Sequence, residues 1–459
     1  MKTVKLGAGM AFWGDSIRPA IDMVERADIQ YLCCDHLAEL TMAILSKRME
    51  RDPEQGYTPD ILELVRAVLP TARRRGIRIV SNAGGANPRA AAAAIAKVCA
   101  ELGLADTKIA VVLGDDIRDD IDVLMADGVS FENIDTGEPL STVRDALTQA
   151  NVYTGSEGIV EALGAGADIV ICGRVTDIAL YLGPLIHEFG WAWDDWDALA
   201  GATAAAHIVE CGAQSTGGLF SKGWQDIPGM VDMGYPTAEV YEDGTAIISK
   251  TPGSGGDVTV ASVSEQMVYE VLDTANYLTA DVTADFTGIT LEQLGPDRVR
   301  VAGVTGKPAP RTLKVNMGYR NGFIGSAQFT YTWPDAVAKA ERAVELLEER
   351  LDRVDFRSFD KRVEYIGANS IWAPLIPPPS DPEALEVTVR YAARVPDRTE
   401  ARKIFAELVP VCNNGPAGMG GLGTRLPITE LFAIWPALID RDKVKQRVEM
   451  LPAAEKVVL

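Results

Sequence analysis

The sequence predicts an α/β protein. A largely parallel sheet with flanking helices is expected in the N-terminal half, followed by an α+β domain with an antiparallel sheet. Three observations carry this. Short apolar runs alternate with helical patterns from Val4 to Phe189. A polar, often glycine-containing turn follows each of those runs. Beyond Val231 the texture changes to paired apolar runs with turn residues between them. Repeated strand–helix alternation is the pattern of a parallel sheet covered by helices, whereas paired runs are the pattern of hairpins.

Taken in order, Val4–Phe12 reads as a strand and Ile17–Arg26 as a helix. Ile29–Cys34 is a strand, and Glu39–Met49 and Pro59–Arg75 are helices. Ile77–Val80 is the next strand. It runs into Ser81-Asn82, two glycines, then Asn87-Pro88 and an Ala-rich helix to Leu102. Asn87 fits an N-cap and Pro88 the first helical position. Ile109–Leu113 is a strand and Ile117–Met125 a helix; Gly128–Val152 is ambiguous. Glu157–Ala165, Asp168–Cys172 and Asp177–Phe189 continue as helix, strand and helix. Ala238–Ser249 reads as a hairpin turning at Glu242-Asp243-Gly244. Leu313–Tyr319 and Ile324–Thr332 read as a second hairpin, because Asn321-Gly322 between them is the strongest short turn signal. Ala336–Leu351 is an amphipathic helix, Leu385–Val395 a strand and Arg398–Leu408 a helix. Pro374–Pro382 reads as a linker and Asn413–Arg425 as a glycine-rich lid or interface loop. The domain boundary is expected near Gly217–Val231, dividing residues 1–225 from 226–459.

The chain has 459 residues, 47% of them hydrophobic, and a formal net charge of −21. It is too long for one simple core and too acidic to attract nucleic acid or an anionic membrane. Arg73-Arg74-Arg75 is its one short basic run and suits a helix C-terminus. The six cysteines form no C-x-x-C pair, and no apolar run reaches the length of a membrane span. A cytoplasmic protein with reduced thiols is expected.

In a parallel sheet the ends of all strands lie on one edge, so residues scattered in sequence gather around one crevice. Here that rim comprises Asp15 and Ser16, Asp35 and His36, Asn82 with Gly84 and Gly85, Asp115 and Asp116, and Arg174 with Asp177. Carboxylates, an amide, a guanidinium and open backbone suit a small polar ligand. The plainer reading is that Asp15, Asn87 and Asp177 cap helices. Asp15, Asp35, His36, Asp115 and Asp116 also form an oxygen-rich candidate set for Mg²⁺ or Mn²⁺. Three histidines make a multi-histidine zinc site a poor fit.

A second constellation is His207–Gly218, HIVECGAQSTGG. On a helix, His207 and Cys211 lie one turn apart, an arrangement that can activate a thiol. Glu210 and Gln214 share another face, as acid/base and polar anchor. The alternative is a core cysteine beside a satisfied imidazole. TPGSGG at Thr251–Gly256, with Ser254 and Gly255, is a flexible loop that lacks the lysine of a phosphate-binding loop. No dinucleotide fingerprint follows a strand.

Six ordered motifs, GAGMAFWGDS (Gly7–Ser16), DHLAELTMAIL (Asp35–Leu45), SNAGGANPRA (Ser81–Ala90), GADIVICGRVTD (Gly166–Asp177), HIVECGAQSTGG and TPGSGG, resemble the acyclic terpene utilisation AtuA family. The resemblance runs from the N-terminus to about Arg362 and more weakly beyond. It departs at Ser254, where a threonine is expected. Longer members carry an added ferredoxin-like C-terminal domain, which the resemblance implies is lacking or truncated here. The family takes its name from a gene cluster that degrades branched acyclic terpenoids such as citronellol and geraniol through acyl-CoA thioesters, with carboxylase and hydratase partners. The resemblance therefore implies a catabolic, cytoplasmic, CoA-linked role. It assigns neither a reaction nor catalytic residues.

The sequence thus points to an enzyme acting on a small branched carboxylate or its CoA thioester by hydratase, lyase or hydrolase chemistry. Its candidate catalytic residues are Asp35, His207, Glu210 and Cys211. Its candidate substrate contacts are Asp15, Asn82, Gly84, Gly85, Asn87, Arg174, Asp177, Gln214, Ser254 and Gly255. Mg²⁺ is the candidate metal, and a homo-oligomer is expected. The alternative is a non-catalytic subunit or scaffold of an acyl-CoA catabolic complex.

Overall fold

A computed structural model describes residues 2–373, 375, 384–422 and 426–451. Its first half is the predicted alternation. In chain order come β1 (Thr3–Met10), α1 (Arg18–Arg26), β2 (Tyr31–Cys34), α2 (Glu39–Arg51), α3 (Asp60–Arg75), β3 (Arg78–Ser81), α4 (Pro88–Glu101), β4 (Ile109–Leu113) and α5 (Ile121–Ala126). Then follow β5 (Leu147–Val152), α6 (Glu157–Gly164), β6 (Ile169–Cys172), α7 (Ala179–Phe189) and α8 (Trp196–Glu210). The second half holds β7 (Pro236–Tyr241), β8 (Ala246–Lys250), α9 (Val260–Val268), β9 (Tyr277–Leu278), β10 (Thr283–Asp285), β11 (Thr290–Gly295), β12 (Arg298–Ala302), β13 (Thr305–Lys307) and β14 (Thr312–Thr332). It ends with α10 (Ala336–Arg353), β15 (Asp360–Ile366), β16 (Glu386–Val395), α11 (Arg398–Asn414), β17 (Met419–Leu422), β18 (Thr429–Asp440) and β19 (Arg447–Met450).

The main sheet has ten strands in the order β11-β12-β8-β7-β1-β2-β3-β6-β4-β19. β1, β2, β3, β6 and β4 are mutually parallel; their neighbours on both flanks are antiparallel. Alternate residues of the parallel strands enter two cores. Leu32, Cys34, Ile79, Val111 and Ile171 meet α1, α3 and α4, while Cys33, Val80, Val112, Val170 and Cys172 meet α6, α7 and α8. Burial on both faces explains why these strands read as unbroken apolar runs. Each fully buried Val or Ile contributes roughly 1.5–3 kcal/mol.

The order β3-β6-β4 sets the place of the site. The chain leaves β3 into α4 on one face of the sheet and leaves β6 into α7 on the other. A crevice opens where adjacent strands send their connections to opposite faces, at the carboxyl ends.

The chain divides into two compact units, Met1–Gly318 with Ile434–Leu459, and Tyr319–Ala433. The boundary expected near Gly217–Val231 therefore falls inside the first unit. The physical reason is the pairing of β7 with β1, which carries the antiparallel strands onto the same sheet. The second unit is an antiparallel sheet built on β15, β16, β17 and the end of β14, with α10 and α11 packed against it through Ala340, Leu347, Ile404 and Leu408.

The hairpin expected at Asn321-Gly322 is corrected. β14 runs on through both residues. Each half finds its partner elsewhere: Tyr153 beside β5 donates to Lys314, and Phe323–Thr332 pair with β16. Gly322 absorbs the local twist at φ +82°, and Asn321 accepts a hydrogen bond from Arg394 at 2.7 Å. The ambiguous stretch before Val152 supplies β5. The linker at Pro374–Pro382 and the tip of the Asn413–Arg425 loop lie outside the described residues, apart from residue 375; Asn413 and Asn414 end α11, and Met419–Leu422 form β17.

Candidate active site

Asp35 follows β2 and Asn82 follows β3, and parallel pairing brings the two together. The Asn82 amide donates to Asp35 Oδ1 at 2.5 Å and accepts from the His36 backbone N–H at 2.8 Å. The Leu37 N–H also donates to Asp35, at 3.1 Å. Both side chains are buried. Burial pushes the Asp35 carboxyl well up, helped by Asp177 and opposed by Arg174 and Asn82.

Arg174, at the end of β6, is only 1% exposed. Its Nε donates to Val175 O and a terminal nitrogen to Leu37 O, both at 2.8 Å, and another terminal nitrogen bonds Asp177. Its guanidinium lies 4.3 Å from the Tyr153 ring centre. Burial works against its charge and is outweighed by Asp177, Tyr153 and Asp35, so its pKa is raised. Sequence reasoning expected this fork to bind a substrate. The structure commits it to clamping the Asp35–Leu37 loop onto the β6 end. Asp177 stands at the mouth with 40% of its side chain exposed.

The other half of the site comes from the end of α8. Gly212, just beyond it, packs on the Tyr235 ring and Ala11 at the carboxyl end of β1. The two constellations read separately in the sequence therefore share one edge. His207 Nδ1 lies 3.0 Å from Glu210 Oε1, so the helical pair is His207 with Glu210. Burial pushes the Glu210 carboxyl up, against the pull of His207 and with the help of Asp177 and Glu270. Gln266 on α9 donates to His207 O at 3.1 Å, and the Tyr277 ring stacks obliquely 5.4 Å from the imidazole.

Several expected roles are corrected. α8 ends at Glu210, which leaves Cys211 as its cap rather than on the imidazole face. Burial and the adjacent Glu210 push the Cys211 thiol up, the opposite of what a nucleophile needs. Gln214 lies in the 3₁₀ turn Gly212–Thr216, off the helix face expected for it. Asn87 caps α4 and also donates to Pro53 O and Gln55 O. Gly84 and Gly85 serve close packing: a Cβ on Gly84 would meet Cys172 O at 2.5 Å, and one on Gly85 would meet Leu45 at 2.3 Å. Asp15 accepts the Tyr235 hydroxyl at 2.7 Å and the Ala11 N–H at 3.0 Å. Ser254 closes a tight turn on Thr251 O, and Gly255 abuts Gly229, so this loop is knitted shut.

Asp115 accepts from Arg174 N and from Asn151, both at 2.8 Å. Burial raises its pKa to about 6. Asp116 instead receives the Arg118 N–H. His36 Nδ1 sits 3.4 Å from Asp60, beside the Asp35–Asn82 pair. Among the described residues, no group of three or more His, Cys, Asp or Glu side chains is arranged to hold a metal ion.

Sequence reasoning missed Tyr181, Tyr277 and Gln266. They sit within helices or on a two-residue strand, where no turn signal marks them. Among the described residues, Tyr181 Oη, His207 Nε2 and Glu210 Oε2 are buried without a hydrogen-bond partner. Each such orphan costs about 1–3 kcal/mol. An open groove of about 670 Å³ lined by Trp191, Trp196, Asp197 and Glu242 lies beside the β7–β8 turn, at the opposite edge of the sheet. None of the predicted residues line it.

No curated protein and no solved structure gives a significant match to this sequence. The profile described as acyclic terpene utilisation family protein AtuA matches residues 4–450. The resemblance seen in the six motifs thus extends over nearly the whole chain, and the protein belongs to the AtuA family.

Proposed function

We propose that this site carries out general acid–base chemistry on a small branched carboxylate or its acyl-CoA thioester, as a hydratase or lyase. The family name supports a role in acyclic terpene utilisation. The observation that carries the finer reading is that Asp35 and Glu210 are both buried carboxyls whose pKa the charge of Asp177 raises further. They come from elements distant in sequence, both are held by an orienting partner, and burial favours the neutral acid at each. Two carboxyls whose surroundings differ can divide between proton donor and proton acceptor. In this reading Glu210, oriented by His207, and Asp35, oriented by Asn82, move protons at the substrate. Arg174 and Asn82 position them. Asp177, at the mouth, contacts the polar end of the ligand.

The test is turnover of a panel of branched acyl-CoA thioesters, followed by mass spectrometry. Glu210→Gln is expected to lower kcat by about 10²–10⁴-fold, the range of positioned acid–base groups. No product from any thioester, or a Glu210→Gln variant as active as the parent, overturns the proposal.

One observation favours a second reading, a non-catalytic subunit of an acyl-CoA catabolic complex. Leu219 is 84% exposed and Val231 97% exposed on the segment joining α8 to β7. Co-purification with a carboxylase, together with pathway flux that survives Glu210→Gln, decides for it.

A further inference from the structure

A small cavity of about 140 Å³ lies over the antiparallel flank of the main sheet. Its floor follows from strand alternation. Leu6, Ala238, Ile248 and Val299 point into the core shared with α8, so Lys5, Thr237, Glu239, Ser249 and Arg298 point to the other face. Thr237 pairs with Ser249, and Val299 pairs with Ile248, which sets Arg298 beside Ser249 in the same cross-strand row. Lys5 stands opposite Glu239 in the next row. Ala27, Asp28 and Pro252 close the sides.

In a chain of net charge −21 this wall is cationic, because Lys5, Lys250 and Arg298 outnumber Asp28 and Glu239. The larger groove beside the β7–β8 turn has only acidic charges in its wall. Lys250 has 9% of its side chain exposed; it donates to Ser254 O at 2.8 Å and pairs with Asp297 at 3.2 Å, leaving one of its N–H donors. Lys5 pairs with Asp28 at 2.6 Å. The hydrogen bond to Asp28 raises the Lys5 pKa, while burial and the Arg298 charge oppose it. Among the described residues no carboxylate forms an ion pair with Arg298. An unpaired cation beside a second cation is stabilised by an anion placed between them.

The donors meet from four strands: Lys5 on β1, Thr237 on β7, Lys250 on β8 and Arg298 on β12. Ser249 spends its proton on Asp297 O, so Thr237 is the hydroxyl left to donate. A planar carboxylate has two oxygens and cannot meet donors arriving from several sides. A tetrahedral oxyanion presents oxygens in all these directions, and a guanidinium fork binds two of them at once.

We propose that this cavity binds a phosphate group, gripped by Arg298 and Lys5 with Thr237 donating to it. Glu239 opposes that charge and moderates the affinity. Lys5 lies toward the amino end of β1 and Asp28 precedes β2, so the cavity sits at the opposite end of the parallel strands from Asp35. It is a second site, independent of the acid–base reading.

The experiment is titration of the full chain with inorganic phosphate at low ionic strength, followed by phosphorus NMR. Saturable binding with a Kd on the order of 1 mM or tighter is expected. Arg298→Gln is expected to weaken it at least about tenfold, the loss of a charge-assisted pair. Glu239→Gln is expected to tighten it about twofold to fivefold, because a carboxylate leaves the wall. Arg298 is exposed and Glu239 half-buried, so both variants are expected to fold. No saturation, an undiminished affinity in Arg298→Gln, weaker binding in Glu239→Gln, or displacement by equimolar acetate overturns the inference. Coenzyme A and dephospho-coenzyme A, which differ by one phosphate monoester, separate the sources of the group. Tighter binding of coenzyme A that Arg298→Gln removes assigns the cavity to a phosphate carried by a larger ligand. Equal affinities for the two, with phosphate binding retained, assign it to free phosphate.

Discussion

At the scale of the residue, burial decides chemistry more than identity does. Asp115 and Asp116 are neighbours of one type and burial raises the pKa of both, but Asp115, held in the crevice wall by Arg174 and Asn151, is the one raised to about 6. The native state therefore holds this proton more tightly than the unfolded chain does. Between about pH 4 and 6 the folded form keeps it while the unfolded form releases it, so this group's contribution to stability falls as pH rises and levels off above about 6. Asp115→Asn keeps an acceptor for Arg174 and Asn151 but abolishes the titration. Urea unfolding across that range should show the variant gaining on the parent with rising pH, by at most about 3 kcal/mol. Parallel curves would contradict the assignment. Asp35, Asn82, Arg174 and Glu210 were legible as candidates because strand ends and a helix face are visible in sequence. What each does was less so. The guanidinium fork of Arg174 looks like a ligand grip until its neighbours Leu37, Val175 and Asp177 are seen to occupy it. His207 was matched to Cys211 because helical spacing does not reveal that α8 stops at Glu210.

At the scale of the element, the parallel strands were legible to within a few residues, since β1, β2, β3, β4 and β6 are apolar on both faces and end in polar turns. β14 was not. Asn-Gly favours a two-residue turn only when the flanking strands have each other as best partners. Here β5 and β16 compete and win, and neither competitor lies near Asn321 in sequence. Gly322 is then required by the path of the strand. A Cβ at that position would meet Val395 O at 2.4 Å in a backbone with φ +82°. Gly322→Ala should destabilise the second unit by about 1–3 kcal/mol, read as a lower unfolding midpoint. An unchanged or raised midpoint would mean that β14 breaks there after all.

At the scale of the whole molecule, the main sheet is assembled from both ends of the chain. β19 pairs with β4, Arg89 makes two hydrogen bonds to Glu449, and Gln446 bonds the Gly158 N–H at 2.6 Å. Removing residues 445–459 uncovers the β4 edge and takes away the Lys445 carbonyl packed against Gly114. The truncated protein should lose cooperative unfolding of the first unit and self-associate through the bare strand, as read by sedimentation. A monomer of parental stability would refute this. Such long-range closure escaped the sequence reading because the pattern of β19 is too short to announce a partner more than three hundred residues away. It also sets an order of events during synthesis. Tyr319–Ala433 leaves the ribosome as a contiguous stretch, whereas the first unit waits for β19, a strand made long after its partner β4. Until that strand arrives, the nascent chain holds an open β-edge beside the Arg174 clamp, and this interval is when chaperone protection matters most.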